Sequence, residues 1–307
     1  SPLPQVHPDL ARARAMFAAE EDEGIPIDSP RRNYKDPNHK PELVYALSRF
    51  EALCGFRAPR RAAELLAGLG TPATDRLHAM LQTEPDAAGV KRAFTSLLNL
   101  VTRPDPDAVA AVAAACARRL ETDSPSVRAD RAVVRLQQEY PGDPGVVASL
   151  LLNPVTLNPG EALFVPAGGV HAYLSGLAVE LMASSDNVLR AGLTDKHIDV
   201  PEMLACVDYV AAPPIRLAPE YFGGPVGVFY APVDDFELAV AHVNAGTGSY
   251  ELRGRGPRII LGIEGAVTVR SGDAEETLTP GLAVFVRADD AAPVLSGDGV
   301  VVQADVP

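Results

Sequence analysis

Leu157-Asn158-Pro159-Gly160-Glu161-Ala162-Leu163-Phe164-Val165-Pro166-Ala167 recurs 121 residues later as Leu278-Thr279-Pro280-Gly281-Leu282-Ala283-Val284-Phe285-Val286-Arg287-Ala288. In both stretches a Pro-Gly turn feeds a run of alternating apolar residues, so one supersecondary unit is expected twice. Two related β-barrels follow from that duplication. The copies then diverge. The first continues Gly168-Gly169-Val170-His171-Ala172-Tyr173, the second Asp289-Asp290-Ala291-Ala292-Pro293 with no histidine. If this turn supplies a ligand, only the first barrel has it.

Outward from the repeat, the chain after Gly145 is written in short β-branched runs punctuated by Gly, Pro and Asn, the grammar of a sandwich or barrel. Before it, from about Asp9 to Gln138, the pattern is largely helical. Leu10 to Phe17 is a strong helix-forming run. Pro59 to Leu69 places Ala62, Leu65, Leu66 and Leu69 on one stripe, and Asp107 to Glu121 is Ala-rich with Arg118 and Arg119 near its end, as the helix dipole favours. Arg131 to Tyr140 extends the pattern, and Pro141-Gly142-Asp143-Pro144-Gly145 closes it.

The 307 residues suit about two domains. With 47% hydrophobic and 22% charged residues, the composition is that of an ordinary globular protein. A formal charge of −13 repels nucleic acid and anionic lipid. No apolar run reaches the roughly 20 residues needed to span a bilayer, and nothing at the start resembles a signal peptide, so the expected home is the cytoplasm. Cys54, Cys116 and Cys206 are odd in number and sit among apolar residues, the pattern of reduced core thiols. Ser1 at the start and the absence of Trp together suggest that this sequence begins inside a longer gene product.

Several polar residues stand where chemistry is expected. Gln5 and His7, two apart, share one face of a strand and can hold one metal, although such a pair is also common in purely structural settings. In Asn33-Tyr34-Lys35-Asp36-Pro37-Asn38-His39-Lys40-Pro41-Glu42, a polar cluster enters an apolar strand and leaves Glu42 at the mouth of something buried. A carboxylate there needs a partner or a metal, or else belongs to a capped turn on a solvated rim. His171 follows the Gly-Gly turn at a barrel rim. Two imidazoles, one carboxylate and one amide oxygen form a borderline-soft set suited to zinc with a position left open. Spacing alone does not select these four. Downstream, Arg190 and Lys196 are cations able to grip a phosphate, or else members of surface ion pairs.

The segments Asn33 to Leu47 and Phe164 to Lys196, with Tyr-Lys-Asp-Pro-Asn-His-Lys-Pro-Glu in one and Ser-Ser-Asp-Asn-Val-Leu-Arg-Ala-Gly-Leu-Thr-Asp-Lys in the other, closely resemble type I mannose-6-phosphate isomerases. The likeness runs from Gln5 through essentially the whole chain. It implies a mainly β fold of the cupin superfamily, with two cupin-like jelly-roll barrels and an α-helical insertion. Residues 1–8 and 29–58 would be strands of the catalytic barrel, 59–145 the helical domain, 146–212 the rest of that barrel, and 213–307 a second barrel lacking the ligand histidine. Relatives carry a substantial Trp-containing region ahead of their Gln-x-His, where Ser1-Pro2-Leu3-Pro4 stands here.

The resemblance further implies one zinc ion per chain held by Gln5, His7, Glu42 and His171, with Arg190 serving catalysis and Lys40 near the sugar. The expected reaction interconverts mannose 6-phosphate and fructose 6-phosphate through a cis-enediol, as in GDP-mannose biosynthesis. Glu180, Asp186 and His39 are the candidate bases, Lys40 the candidate for ring opening and Lys196 for the phosphate. The expected partner is a small phosphosugar, bound by a monomer, with neither nucleic acid nor membrane. A phosphosugar-binding cupin without turnover is the rival reading. An iron-dependent cupin oxygenase fits less well, because Gln5 and Glu42 are not its ligand types.

Overall fold

A computed structural model describes residues 5–190, 199–246, 248–254 and 256–307. Strand β1 (Gln5–Val6) leads into helix α1 (Leu10–Asp22), and strands β2 (Glu42–Ala46) and β3 (Phe50–Phe56) follow. Six helices come next: α2 (Pro59–Leu66), α3 (Pro72–Thr83), α4 (Ala87–Leu98), α5 (Pro106–Leu120), α6 (Val127–Glu139) and α7 (Pro144–Ala148). Strands β4 (Leu152–Leu157), β5 (Ala162–Val165), β6 (His171–Ser175), β7 (Ala178–Met182) and β8 (Leu189–Arg190) precede helix α8 (Val200–Cys206). The rest is strand: β9 (Ile215–Leu217), β10 (Glu220–Tyr221), β11 (Val226–Phe229), β12 (Glu237–Val243), β13 (Tyr250–Glu251), β14 (Arg258–Ser271), β15 (Ala274–Leu278), β16 (Ala283–Val286) and β17 (Val294–Asp305).

The chain forms two compact units, whose longest continuous stretches are Tyr45–Val179 and Arg216–Pro307. Five strands pair in the order β4-β3-β6-β1-β8 and four in the order β7-β2-β5-β9. A further sheet of eight strands follows the path β10-β11-β12-β17-β14-β15, with β13 on β17 and β16 on β14. Each unit has its own apolar interior, one centred on Leu53, Leu77, Phe94 and Val133, the other on Ile260, Val267, Leu295 and Val301.

The duplicated Pro-Gly segments adopt the same turn. Gly160 has φ +88° and Gly281 φ +89°, a left-handed conformation that glycine adopts without a steric penalty. In each copy the amide three residues on closes the turn, Glu161 N to Asn158 O and Leu282 N to Thr279 O, both at 3.0 Å. Each glycine amide also donates to a neighbouring strand, Gly160 N to Ala46 O and Gly281 N to Gly262 O. The strands that follow differ, since β5 is buried throughout while Ala283 and Phe285 of β16 are exposed.

The helices begin where short polar side chains can accept from free amides. Asp86, Thr71 and Asp105 cap α4, α3 and α5 in this way. The stripe expected over Pro59 to Leu69 is helical only to Leu66, because Gly70, at φ +62°, turns the chain. The run expected from Arg131 starts earlier, at Val127. Between α5 and α6 lies a buried ion pair. Arg119 donates to both carboxylate oxygens of Asp130, at 2.8 and 2.6 Å, and to Leu65 O at 2.7 Å, while Ser124 Oγ also donates to Asp130.

Cys54, Cys116 and Cys206 are free and buried, and burial pushes the Cys116 thiol up to about 12 and that of Cys206 up to about 11. Among the described residues no helix is long and apolar enough to cross a membrane.

Candidate metal centre

His7, Glu42 and His171 bring one ligand atom each to within 4.8 Å of one another, the one such metal-capable group among the described residues. All three are buried, at 1%, 1% and 0% exposure. The backbone explains how residues so far apart in sequence meet. Gln5 on β1 lies opposite His171 of β6 on one side and Arg190 of β8 on the other. Directly opposed residues of antiparallel strands project to the same face, so Gln5, His171 and Arg190 form one row. The strand expected through His7 ends at Val6, because Pro8 has no amide to continue a ladder; the His7 carbonyl instead accepts from Gly168 N at 2.8 Å. Glu42 is the first residue of β2.

Main-chain carbonyls orient both imidazoles. His7 Nδ1 lies 2.7 Å from Asn187 O, and His171 Nδ1 lies 2.9 Å from Gly169 O. A ring whose Nδ1 donates a proton to a carbonyl presents Nε2 as a lone pair, the tautomer a metal requires. Gln5 Nε2 lies 3.0 Å from His171 Nε2, so its amide already sits beside the cluster, and a half-turn about its last bond exchanges Nε2 for Oε1. Two neutral imidazole nitrogens, a buried carboxylate and a nearby amide fit zinc in number, hardness and orientation.

Asn187 is a residue of the site's surroundings that the sequence does not single out, since Ser-Ser-Asp-Asn stands there only as part of a longer motif. Its side chain is fully occupied: Oδ1 accepts from Lys35 N at 2.7 Å and Asp36 N at 3.3 Å, and Nδ2 donates to Asp36 O and Asn38 O. It thereby ties the segment carrying His39, Lys40 and Glu42 to the residue whose carbonyl holds His7. The same segment is pinned at its start by Tyr34, a buried ring whose hydroxyl bonds Glu202, itself paired with Arg12 at 2.6 Å. Burial raises the Tyr34 pKa well above the usual phenol range, so it remains a donor. Asn187→Ala is expected to lower zinc affinity by roughly 10- to 100-fold with all ligands present, the loss typical of an outer-shell partner, measured by competition with a chromogenic chelator.

The remaining candidates are distributed differently. Arg190 is half-buried, and its Nε has no hydrogen-bond partner among the described residues. His39 and Lys40 are half-buried just ahead of β2. Glu180 on β7 and Asp186 before β8 are solvent-exposed. Lys196 lies outside the described residues.

The family model for the catalytic domain of type I phosphomannose isomerase matches residues 4–59. The mannose-6-phosphate isomerase of Escherichia coli K12 is 38% identical over 297 residues, which span 96% of this chain and 73% of the relative. That of Salmonella typhimurium LT2 is 39% identical over 302 residues, with the same shares covered. Among solved structures, a zinc-bound mannose 6-phosphate isomerase superposes with a TM-score of 0.87 at 36% identity, covering 99% of this chain and 75% of that one. The Salmonella typhimurium enzyme bound to fructose 6-phosphate and zinc superposes with a TM-score of 0.86 at 35% identity and the same coverage.

Proposed function

Because the chain belongs to the mannose-6-phosphate isomerase family, we propose that it interconverts mannose 6-phosphate and fructose 6-phosphate as a zinc-dependent isomerase, with Gln5, His7, Glu42 and His171 holding the metal. The observation that carries this reading is the buried cluster of His7, Glu42 and His171 with both imidazoles turned Nε2-inward. Zinc bound there supplies Lewis acidity toward the sugar oxygens at C1 and C2.

The protein groups have separate tasks. The reaction moves a proton between C2 and C1 of the open-chain sugar. A base takes the C2 proton, the electron pair forms the C1–C2 double bond of a cis-enediol, and the C1 carbonyl oxygen gains a proton. Return of a proton to C1, with loss of the C2 hydroxyl proton, then gives the ketose. Glu180, Asp186 and His39 are the candidates for that base. Arg190, opposite Gln5 in the sheet, is the candidate to hold negative charge on the enediolate through its guanidinium. Lys40 assists ring opening as a proton donor, and Lys196 is assigned to the phosphate.

The test is conversion of mannose 6-phosphate by protein of known zinc content, before and after chelation. Turnover that is lost with the chelator and restored by zinc is the expected result. Zinc bound at full occupancy without turnover would instead identify a phosphosugar-binding cupin. Arg190→Ala is expected to reduce kcat by roughly 100- to 1,000-fold, the range for removing one charge-stabilising donor, with zinc content unchanged. Loss of the metal along with activity would give Arg190 a structural task instead.

A further inference from the structure

We propose that the unit containing Arg216–Pro307 carries a second ligand site, separate from the metal centre, that takes a neutral hexose or related polyol. The site is a cavity of about 230 Å3. Its floor is the inner face of three adjacent strands. Val228, Ala239 and Gln303 stand in register across β11, β12 and β17, and Glu237 faces Asp305 two residues along. Arg258 of β14 lies opposite Asp305 on its other side. Three polar side chains therefore occupy the interior of a barrel-type sheet, where apolar residues are the rule.

They are not fully used by the protein. Gln303, Asp305 and Arg258 are 2%, 6% and 7% exposed, yet Gln303 Oε1, Asp305 Oδ1 and Arg258 Nε have no hydrogen-bond partner among the described residues. Gln303 lines the cavity and is held from its other end, with Nε2 donating to Arg253 O at 2.9 Å and Asp305 Oδ2 at 3.3 Å. Its amide is thus fixed in place in the cavity wall. The backbone closes tightly around this arrangement. A Cβ on Gly254, at φ +123°, would lie 2.3 Å from Asp305 Oδ2. Burial, and next the neighbouring Glu237, push the Asp305 carboxyl up to about 6, and burial raises Glu237 as well. Groups held in this unfavourable condition are characteristic of a binding site.

The chemistry of the lining selects the ligand. Glu237 offers acceptors, Arg253, Tyr230 and Tyr250 offer donors, and Phe222 and the tyrosines offer ring faces. Hydroxyl groups both donate and accept, and the C–H faces of a sugar ring stack on aromatic side chains. An ammonium ligand has no acceptor for the donors. The ring of Phe222 already has the Arg253 guanidinium 5.9 Å from its centroid. A phosphorylated sugar would place its dianion beside Glu237.

The test uses the zinc-loaded full chain and D-glucose, with binding read by saturation-transfer NMR and calorimetry. Millimolar affinity is expected for so small a ligand. Gln303→Met, which keeps the volume and releases the Arg253 carbonyl at the cavity wall, is expected to weaken it by at least about tenfold with isomerase kcat and KM unchanged. Tyr230→Ala, at the 44% exposed rim, gives the same direction of change if the buried variant fails to fold. Glu42→Ala should leave glucose binding intact, which separates this site from the metal centre. Glucose binding that survives both cavity variants, binding lost only with Glu42→Ala, or no binding at 100-fold excess over the roughly millimolar range would each overturn the proposal. So would tighter binding of an alkylammonium probe than of glucose.

Discussion

Replacing Glu42 by Ala is expected to remove zinc and isomerisation together. Glu42 supplies the only carboxylate of the cluster and is 1% exposed, so its removal takes a buried anionic oxygen from the metal. A zinc ion left with two imidazoles and an amide loses the anionic donor that offsets its charge in a low-dielectric interior. The loss of activity should exceed the roughly 10- to 100-fold effect of an outer-shell change. Metal analysis of the dialysed variant and assay at saturating substrate check this. A variant that retained full turnover after metal-free dialysis would sink the ligand assignment. Glu42→Asp is the informative companion, because a shorter carboxylate keeps the charge and withdraws the oxygen.

Arg119→Ala should be the most damaging single change to stability. It leaves Asp130, at 0% exposure, as a buried carboxylate whose remaining side-chain partners are the neutral Ser124 hydroxyl and Cys116 thiol, and it strips the Leu65 carbonyl of its donor. Breaking a buried pair by deleting one partner costs about 3–5 kcal/mol. Urea unfolding followed by far-UV circular dichroism should show the unfolding free energy falling by that amount, seen as a lower midpoint at unchanged slope. The double variant Arg119→Leu/Asp130→Leu should recover much of the loss, since an apolar pair of suitable volume removes the orphaned charge. Neither variant touches the metal-ligand set, so zinc bound per folded molecule should remain unchanged.

Local grammar carried far in reading this chain. The Pro-Gly turns at Gly160 and Gly281 and the Ala-rich α5 are legible because each depends on residues within a few positions of one another, whereas the switch to strand expected after Gly145 comes only at Leu152, because Asp143 caps a further helix, α7, that runs to Ala148. His7, Glu42 and His171 are of another kind. They arrive from the residue after β1 and from the first residues of β2 and β6, and only the long motifs around Glu42 and His171, by their likeness to a family, singled them out. Asn187 escaped because its work is done by long-range bonds to Lys35, Asp36 and Asn38, and a turn residue looks the same whether or not it has such partners. Gln303 and Asp305 did leave a trace. In Val301-Val302-Gln303-Ala304-Asp305 the alternation that puts Val301 inward also puts both polar residues inward, a break in the binary pattern that marks an interior polar site.

The two imidazoles of the metal centre take their orientation from main-chain carbonyls, those of Asn187 and Gly169. No point substitution can delete a peptide carbonyl; it can only displace one. Variation around this centre is therefore graded: changes in the turns that carry Asn187 and Gly169 tilt the rings by small amounts and adjust metal affinity stepwise. Where the orienting group is a side-chain carboxylate, one codon change removes it outright.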